Sequence, residues 1–431
     1  MANSDPSGTR EHQWAIGIVF LITIFLLLLR SPQGTLTTPQ FFAEDGTIFF
    51  QQQFGKLWPQ IFTPYAGYIH CVPRLIAYIA SLFSYKHQPF IYNLSATLID
   101  AGAITYFASR MRRILPIWIT ISIFVFMPSD GEEYGHLLNI QWFLQFALLA
   151  AVLWPKSTTI TKCREYLYSV VVLLISITGP FSIFCLIIFA LLCSAKLVTA
   201  YAQPNGNLND TLKQWWIHIH PSYIVSLCIG SGVQLFFIAT TPSRHLGFNL
   251  VDAKLIFFEG FQFKLFGTYL FPYELFGIFI IASIVLLITH VYRHPNVSGL
   301  IILALIPFAV IQLVGLSDNY GVSWLAIPTS MAGDRYYFFA KVAFWVCLGF
   351  ALSGGTSSKH YKSQILVPVS LMFIAILNPQ YLRNPAMINM HWTHSAQLIR
   401  DRSTDRPLVI PINPPGWHVT LPPARVRSGT R

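Results

Sequence analysis

The sequence predicts an all-α polytopic membrane protein with about eleven transmembrane helices. Hydrophobic residues make up 54% of the 431 residues, charged residues only 10%, and the mean hydropathy is +0.54. Soluble domains carry about 25% charged residues. Apolar runs of about 15 to 20 residues, close to the length that crosses a hydrocarbon core, recur along the chain. Together these observations favour a membrane protein over a soluble globular one.

Eleven apolar runs are predicted to cross the bilayer, and the first is expected to be a retained anchor because no small-residue cleavage site follows it. The chain then divides into residues 1–13 on the cytoplasmic side, a membrane domain over 14–377 and a C-terminal tail over 378–431. The predicted spans are residues 14–30, 89–108, 114–128, 140–154, 165–178, 181–196, 222–240, 275–292, 298–316, 336–352 and 364–377.

Positive residues in short loops set the orientation of these spans, because such loops stay on the cytoplasmic side. This rule places the N-terminus inside and the tail 378–431 outside. The net charge of +11 is therefore assigned to orientation signals and lipid contacts, and nucleic acid binding is not indicated. The cytoplasmic markers are Arg110, Arg112, Arg113, Lys156, Lys162, Arg164, Arg293, Lys359 and Lys362.

One further apolar segment, residues 65–84, is expected to lie along the outer interface. It carries His70 and Arg74 near its start, which are costly in bare lipid, and a crossing there would invert every later loop. The first outer loop then covers about residues 31–88 and contains this interfacial helix. A second long outer loop covers about residues 241–274.

The first outer loop holds two adjacent carboxylates, Glu44 and Asp45. A carboxylate that is partly desolvated beside a second carboxylate can have a raised pKa and act as a general base toward a hydroxyl. A solvated turn is the alternative, because the dipeptide Asp45-Gly46 is common in turns.

Four isolated cations lie in or near the predicted outer loops: Arg74, Arg244, Lys264 and Arg335. Guanidinium groups suit a phosphate because their planar fork binds two oxygens at once. Each cation alone is also explained by a side chain that reaches from the membrane edge into water. Collectively they indicate a site for a lipid phosphate.

A third group of polar residues follows the acidic segment Asp130–His136. The amides of Asn139 and Gln141 can bond hydroxyls, and Trp142 offers an apolar face for a pyranose ring. With Glu132 and with His70 from the first outer loop, these residues are candidates for sugar recognition. The alternative is a hydrophilic hairpin that keeps two span ends in water.

The six cysteines form no CxxC pair and mostly lie in apolar runs, so neither a disulfide framework nor a zinc site is expected. In the tail, the prolines argue against a compact core. Trp417 is expected either to cap the site or to rest at the membrane interface.

Several short motifs occur in an order that resembles the GT-C superfamily of integral-membrane glycosyltransferases. More narrowly, the resemblance is to bacterial enzymes that decorate surface polysaccharide, such as the serotype-converting glucosyltransferases of O-antigen, and it spans most of the chain. The motifs are Phe42-Ala43-Glu44-Asp45-Gly46, Thr63-Pro64-Tyr65-Ala66-Gly67-Tyr68 with Pro73-Arg74, Asn139-x-Gln141-Trp142, Thr178-Gly179-Pro180-Phe181 and Pro411-Ile412-Asn413-Pro414-Pro415-Gly416-Trp417.

The resemblance implies an enzyme of the bacterial inner membrane whose site faces the periplasm. Its donor would be a sugar, with glucose the expected one, on a polyprenyl phosphate that a separate donor synthase makes and a separate flippase presents. The acceptor would be a surface polysaccharide. An acid in the first outer loop would act as base, usually with inversion at the anomeric carbon.

On these grounds Asp45 is the expected base, and Glu44 shares that role or positions the acceptor. Arg74 and Arg335, then Arg244 and Lys264, are expected at the donor phosphate. Because cationic side chains can take the place of a metal ion, no cofactor is expected, although the number of acids does not exclude a divalent metal.

Two other classes share the aromatic-rich, many-span layout. A flippase or transporter of lipid-linked sugars should place polar residues near mid-membrane and often has inverted repeats, and little of either is found in the sequence. A polysaccharide polymerase or ligase would be expected to concentrate Arg residues in large outer loops.

Overall fold

The computed structural model describes residues 6–112, 114–153, 161–202, 220–241, 255–270, 272–293, 297–320, 333–352, 361–382, 387–402 and 406–423. Over these residues the protein is mostly helical with little sheet, which confirms the predicted helical class.

The long helices overlap all eleven predicted apolar runs. Two of them have a proline in their first turn: Pro89 in Gln88–Met111 and Pro221 in Pro221–Thr240. An N–H group at this position has no partner within the helix, so its absence in proline costs no hydrogen bond. The long helices are Pro6–Arg30, Gln88–Met111, Ile117–Phe126, Ile140–Leu153, Lys162–Ser176, Phe181–Ala202, Pro221–Thr240, Tyr273–Arg293, Val297–Tyr320, Phe338–Ala351 and Leu366–Leu377.

Two of the described helices, Pro221–Thr240 and Glu274–Tyr292, are both long and apolar enough to cross a bilayer, and further apolar helices are shorter. On the second of these helices, Ile278, Ile281 and Ile288 are all more than half exposed. Exposed apolar side chains of this kind are typical of a surface that lipid or another protein covers. The number of crossings stays a prediction.

The segment expected at the outer interface contains the helix Cys71–Ser81. Arg74 and Ile76 are buried on its inner face, whereas Ile79 and the following Leu82 are exposed. The helix is therefore amphipathic, and its interfacial position stays a prediction. In the predicted second outer loop, helical turns cover Leu255–Gly260 and Phe261–Phe266.

Shorter elements position the loops. We call the π-helix Asp45–Phe50 and its α-helical continuation Gln51–Gln53 the acid helix. The remaining short turns are Tyr85–His87, Leu137–Asn139, Asp334–Tyr336, Tyr361–Gln364 and Pro379–Tyr381.

The tail contains a helix, Trp392–Arg400, and then two antiparallel strands, Leu408–Ile412 and Trp417–Leu421, which we call the C-terminal hairpin. The inward side chains of the hairpin, among them Ile412 and Val419, are fully buried. The tail thus packs on the rest of the protein, although its prolines argue against a compact core. Pro414 and Pro415 lie in the turn, Pro422 and Pro423 follow the second strand, and Pro411 lies within the first strand opposite His418. A two-stranded sheet tolerates such a proline because each of its strands is an edge strand.

The C-terminal hairpin packs directly on the acid helix. A Cβ atom at Gly46 would lie 2.6 Å from the Cδ1 atom of Ile412 and 3.1 Å from Cγ2 of Val419. A larger residue at this position would have to displace the Ile412 side chain, so Gly46 allows the close approach of the two elements.

Candidate active site

Asp45 connects residues 31–88, the predicted first outer loop, to the start of a helix. Its Oδ2 accepts the Leu137 N–H and its Oδ1 accepts the Leu138 N–H, each at 2.8 Å, just before the helix Ile140–Leu153. A carboxylate is favourable there because helix N-termini present unpaired N–H groups and a partial positive charge. The residue is 1% exposed.

The protonation of Asp45 is set by opposing effects. Burial raises the pKa of Asp45 to about 7, the N–H groups of Leu137 and Leu138 lower it, and the charge of Glu44 raises it again. Both oxygens already accept hydrogen bonds, so Asp45 is held in place and shielded from solvent.

Glu44 is the carboxylate of the pair that faces other charged groups. The Tyr65 hydroxyl donates a hydrogen bond to Glu44 Oε1 at 3.2 Å, and Arg335 Nη2 lies 3.9 Å from the same oxygen. The tight turn between Tyr65 and Tyr68 presents that hydroxyl: each residue donates its backbone N–H to the other's carbonyl. Glu44 therefore has a phenol and a guanidinium as neighbours.

Arg335 bridges two acids that are far apart in sequence. Its Nη1 donates to Glu132 Oε1 at 2.5 Å while Nη2 approaches Glu44, and its guanidinium lies 5.2 Å from the centre of the Tyr336 ring. Burial acts to lower the pKa of Arg335, but Glu132, Tyr336 and Glu44 together raise it above its ordinary value. Arg335 is therefore a fixed positive charge between two carboxylates.

Tyr65, which contacts Glu44, and His70 beside it continue the series of neighbouring side chains that starts at Arg335. The His70 ring lies 5.7 Å from the Tyr65 ring and 4.7 Å from the Tyr68 ring, and it is fully buried. Burial, with a further contribution from Arg74, lowers the pKa of His70 to about 3. His70 is thus neutral in this site.

Arg74 is a buried cation with one strong partner. Its Nη2 donates to Gln52 Oε1 at 2.9 Å, its guanidinium lies 5.6 Å from the Phe49 ring centre, and it is 1% exposed. Burial lowers the pKa of Arg74 to about 10, which leaves it charged near neutral pH. No carboxylate pairs with Arg74 among the described residues, so it can accept an anionic ligand.

The residues predicted for sugar recognition lie together beside Arg335. Asn139 Nδ2 donates to the Glu132 carbonyl at 2.6 Å, and the Trp142 ring lies 5.6 Å from the Tyr336 ring. Gln141 packs so closely against Gly179 that a Cβ there would collide with its Oε1. The motif containing Gly179 is held in turn by a hydrogen bond of 2.9 Å from the Gly179 N–H to the Ile69 carbonyl.

Several buried polar atoms in this region have no hydrogen-bond partner among the described residues. A buried polar atom without a partner costs free energy, so such a group is expected to meet a ligand or water. These atoms are Arg74 Nε, both ring nitrogens of His136, Asn139 Oδ1, Gln141 Oε1 and Trp142 Nε1.

An acidic group lies next to these residues. Carboxylate oxygens of Asp130, Glu133 and Asp334 lie within 4.8 Å of one another, a donor set that suits a divalent cation. Burial raises the pKa of Asp130 to about 7 and that of Glu133 well above its ordinary value. Protons or a cation can therefore neutralise this group.

Two lysines also neutralise the acidic group. Lys341 Nζ donates to Asp334 Oδ2 at 2.5 Å and to the Pro128 carbonyl at 2.8 Å, and both charged side chains are fully buried. Lys264, which the sequence assigns to a phosphate, is also buried and is close to Asp130 and Asp334, while burial lowers its pKa. Arg244 lies outside the described residues.

Asn413 attaches the tail to the carboxylate loop. The Ala43 N–H donates to the Asn413 carbonyl at 2.5 Å and the Asn413 N–H donates to the Phe41 carbonyl at 3.2 Å. The Asn413 side chain exchanges hydrogen bonds with the backbone of Ile388. Ala43 has a positive φ of 41°, an uncommon conformation for alanine, directly before Glu44. The tail therefore fixes the backbone that presents the acids.

Sequence reasoning missed three members of this arrangement as site residues. In the sequence, Tyr65 stands out only as part of a motif. Nothing near Asn413 in the sequence indicates that it contacts the backbone of a distant loop. Lys341 did have a signal, because an ionisable residue inside the apolar run 336–352 is a functional or structural candidate.

The five motifs of the sequence resemblance thus meet in one region, although they are spread from Phe42 to Trp417. Comparisons with protein-family models, curated proteins and solved structures give no match to this chain.

Proposed function

We propose that the protein is an integral-membrane glycosyltransferase that moves a sugar, with glucose the expected one, from a polyprenyl phosphate to a surface polysaccharide such as O-antigen. The observation that carries the proposal is the row Glu132, Arg335, Glu44, Tyr65 and His70, in which an acid, a cation and sugar-binding groups are neighbours. Such a row suits a reaction that needs a base and a stabilised phosphate leaving group.

The reaction joins the acceptor oxygen to the anomeric carbon and breaks the bond from that carbon to the phosphate oxygen. The acceptor hydroxyl gives its proton to a carboxylate, and the bonding electrons leave with the polyprenyl phosphate. Glu44 suits the role of base better than Asp45, because both Asp45 oxygens already accept backbone N–H groups. This assignment reverses the roles expected from the sequence.

Arg335 and Arg74 are the proposed partners of the leaving phosphate. Arg335 is bound to Glu132, so a phosphate that reaches it competes with that carboxylate. Arg74 is free of carboxylate partners among the described residues and lies beside His70. The two cations flank the segment that carries Glu44 and Tyr65, which supports a donor lying across it.

The membrane location is part of the proposal. Among the described residues, two helices long and apolar enough to cross a bilayer, together with shorter apolar helices, support membrane insertion, and the proposed location is the bacterial inner membrane with the site toward the periplasm. A lipid-linked donor then reaches the site from the outer leaflet. A separate donor synthase and flippase would supply it.

The experiment places the purified protein in proteoliposomes with radiolabelled polyprenyl-phosphate glucose and O-polysaccharide that carries no lipid. We expect radiolabel in the polysaccharide without further lipid-linked oligosaccharide. Movement of the labelled lipid between leaflets without a new glycosidic bond would instead identify a flippase. Label that enters the polysaccharide only when lipid-linked oligosaccharide is added would identify a polymerase or ligase.

A further inference from the structure

A cleft of about 400 Å³ lies between the acid helix and the C-terminal hairpin. Ligand sites of small molecules begin at roughly 300 Å³, so this cleft is large enough for a sugar unit. It is lined by Thr47, Gln51, Gly416, Trp417, His418 and Thr420.

The cleft is built by direct contacts between the two elements. The Thr420 N–H donates to Gln51 Oε1 at 2.9 Å, which fixes the hairpin on the end of the acid helix. The Thr47 hydroxyl donates to the Ala43 carbonyl at 3.2 Å, one helical turn from Glu44. A ligand in the cleft is therefore next to the segment that carries Glu44.

Trp417 is the large side chain of the cleft. Trp417, Val419 and Leu421 are two residues apart along the strand, so their side chains lie on the same face. This face packs toward the acid helix. Yet Trp417 itself remains 38% exposed. Its indole therefore extends beyond the packed surface and leaves a ring face available.

The chemistry of the lining favours a neutral carbohydrate. Hydroxyl, amide and imidazole groups can bond sugar hydroxyls, and an indole face packs on the apolar face of a pyranose. Among the residues that the structure describes, no carboxylate, lysine or arginine lines the cleft, and Trp417 is its one large apolar side chain.

We propose that this cleft is a subsite for the neutral polysaccharide acceptor, with Trp417 as the stacking platform. The inference rests on the proposed glycosyl transfer for its role, although binding itself does not require catalysis. It assigns acceptor recognition to the tail and donor recognition to the buried cations.

The test compares W417A, W417Y and W417L with the full-length protein. Binding of lipid-free O-polysaccharide from the producing bacterium is measured by calorimetry without donor. We expect W417A and W417L to weaken binding about tenfold and W417Y to bind nearly as wild type, because tyrosine keeps an aromatic face. The matched control is W58A, which removes another tryptophan of the outer loop that is 76% exposed.

Transfer and donor hydrolysis are then measured on the same variants. We expect W417A to raise the KM for polysaccharide about tenfold while release of glucose from the donor to water stays unchanged. Unchanged polysaccharide binding in W417A would overturn the subsite, and so would wild-type binding by W417L, because leucine offers no aromatic face for stacking. Binding that depends on Trp417 without any transfer by the wild type would leave the subsite intact and overturn the transferase proposal.

Discussion

Glu44 and Asp45 are neighbours in sequence, yet their carboxylates lie in different surroundings. Asp45 accepts two backbone N–H groups at a helix start, while Glu44 meets the Tyr65 hydroxyl and the Arg335 guanidinium. The sequence shows the pair, but the contact with Leu137 and Leu138 spans about ninety residues. The local sequence therefore does not show which carboxylate is fixed by backbone hydrogen bonds and which is available to a substrate.

Asp45 is expected to make the stability of the protein depend on pH. Its pKa is 3.8 in a model peptide and about 7 in the fold, so between these values the folded state keeps a proton that the unfolded chain loses. The contribution of Asp45 to stability is therefore greatest below pH 3.8 and falls as pH rises toward 7, by on the order of 4 kcal/mol at most. The D45N variant cannot ionise and should lose this component, so its Tm in detergent should fall less between pH 4 and 7.

The control for this measurement is D401N, which removes a surface carboxylate and should keep the wild-type pH dependence. Parallel Tm curves for wild type and D45N would contradict the raised pKa of Asp45.

The role of Arg335 is expected to depend on its forked guanidinium group, which can contact Glu132 and Glu44 at the same time. A lysine at this position can approach either Glu132 or Glu44 but cannot hold both with parallel N–H groups. We expect R335K to lower sugar transfer about tenfold or more, measured as initial rate in proteoliposomes. R400K, at a site where the arginine is 71% exposed, should leave the rate unchanged. An R335K rate equal to wild type would mean that charge alone suffices.

Among the elements, the helices were the most predictable part of the fold. Each long helix coincides with an apolar run, because a helix satisfies its own backbone groups whatever its neighbours are. The acid helix was not predicted, because its residues were interpreted as a loop. Its conformation depends on Asn413 and on the C-terminal hairpin, and such distant contacts leave no periodic signal in the loop itself.

The buried pair of Lys341 and Asp334 links the helix Phe338–Ala351 to the turn that carries Arg335. Removal of one partner leaves an uncompensated charge in the interior, which typically costs about 3–5 kcal/mol. We expect K341M to lower the free energy of unfolding by about that amount and the double variant D334N/K341M to recover part of it. Denaturant titration in detergent measures both.

K56M, at an exposed lysine of the first outer loop, serves as the matched control and should change stability by less than about 0.5 kcal/mol. A K341M variant as stable as wild type would contradict a stabilising role for the buried pair of Lys341 and Asp334.

At the scale of the whole molecule, a set of apolar helices carries loops that meet on one side. The first outer loop, the segment Asp130–His136, the turn at Arg335 and the tail all contribute to this region. The order of the motifs along the chain carries the family resemblance, but not the contacts between the motifs. Capping of the site by Trp417 is one of the two positions expected from the sequence, but the packing of the C-terminal hairpin on the acid helix is not indicated there, because the tail's prolines argue against a compact core.

The arrangement predicts that removal of the acceptor's proton depends on Glu44, while Asp45 holds the loop in place. The measurement is the rate of glucose transfer in proteoliposomes by E44Q, D45N and wild type, with E165Q as a matched control that pairs with His220 far from the cluster in sequence. We expect E44Q to fold normally and lose about 100-fold or more of the rate, D45N to lose less, and E165Q to keep wild-type activity. Full activity in E44Q together with an inactive but folded D45N would contradict this assignment and return the role of base to Asp45.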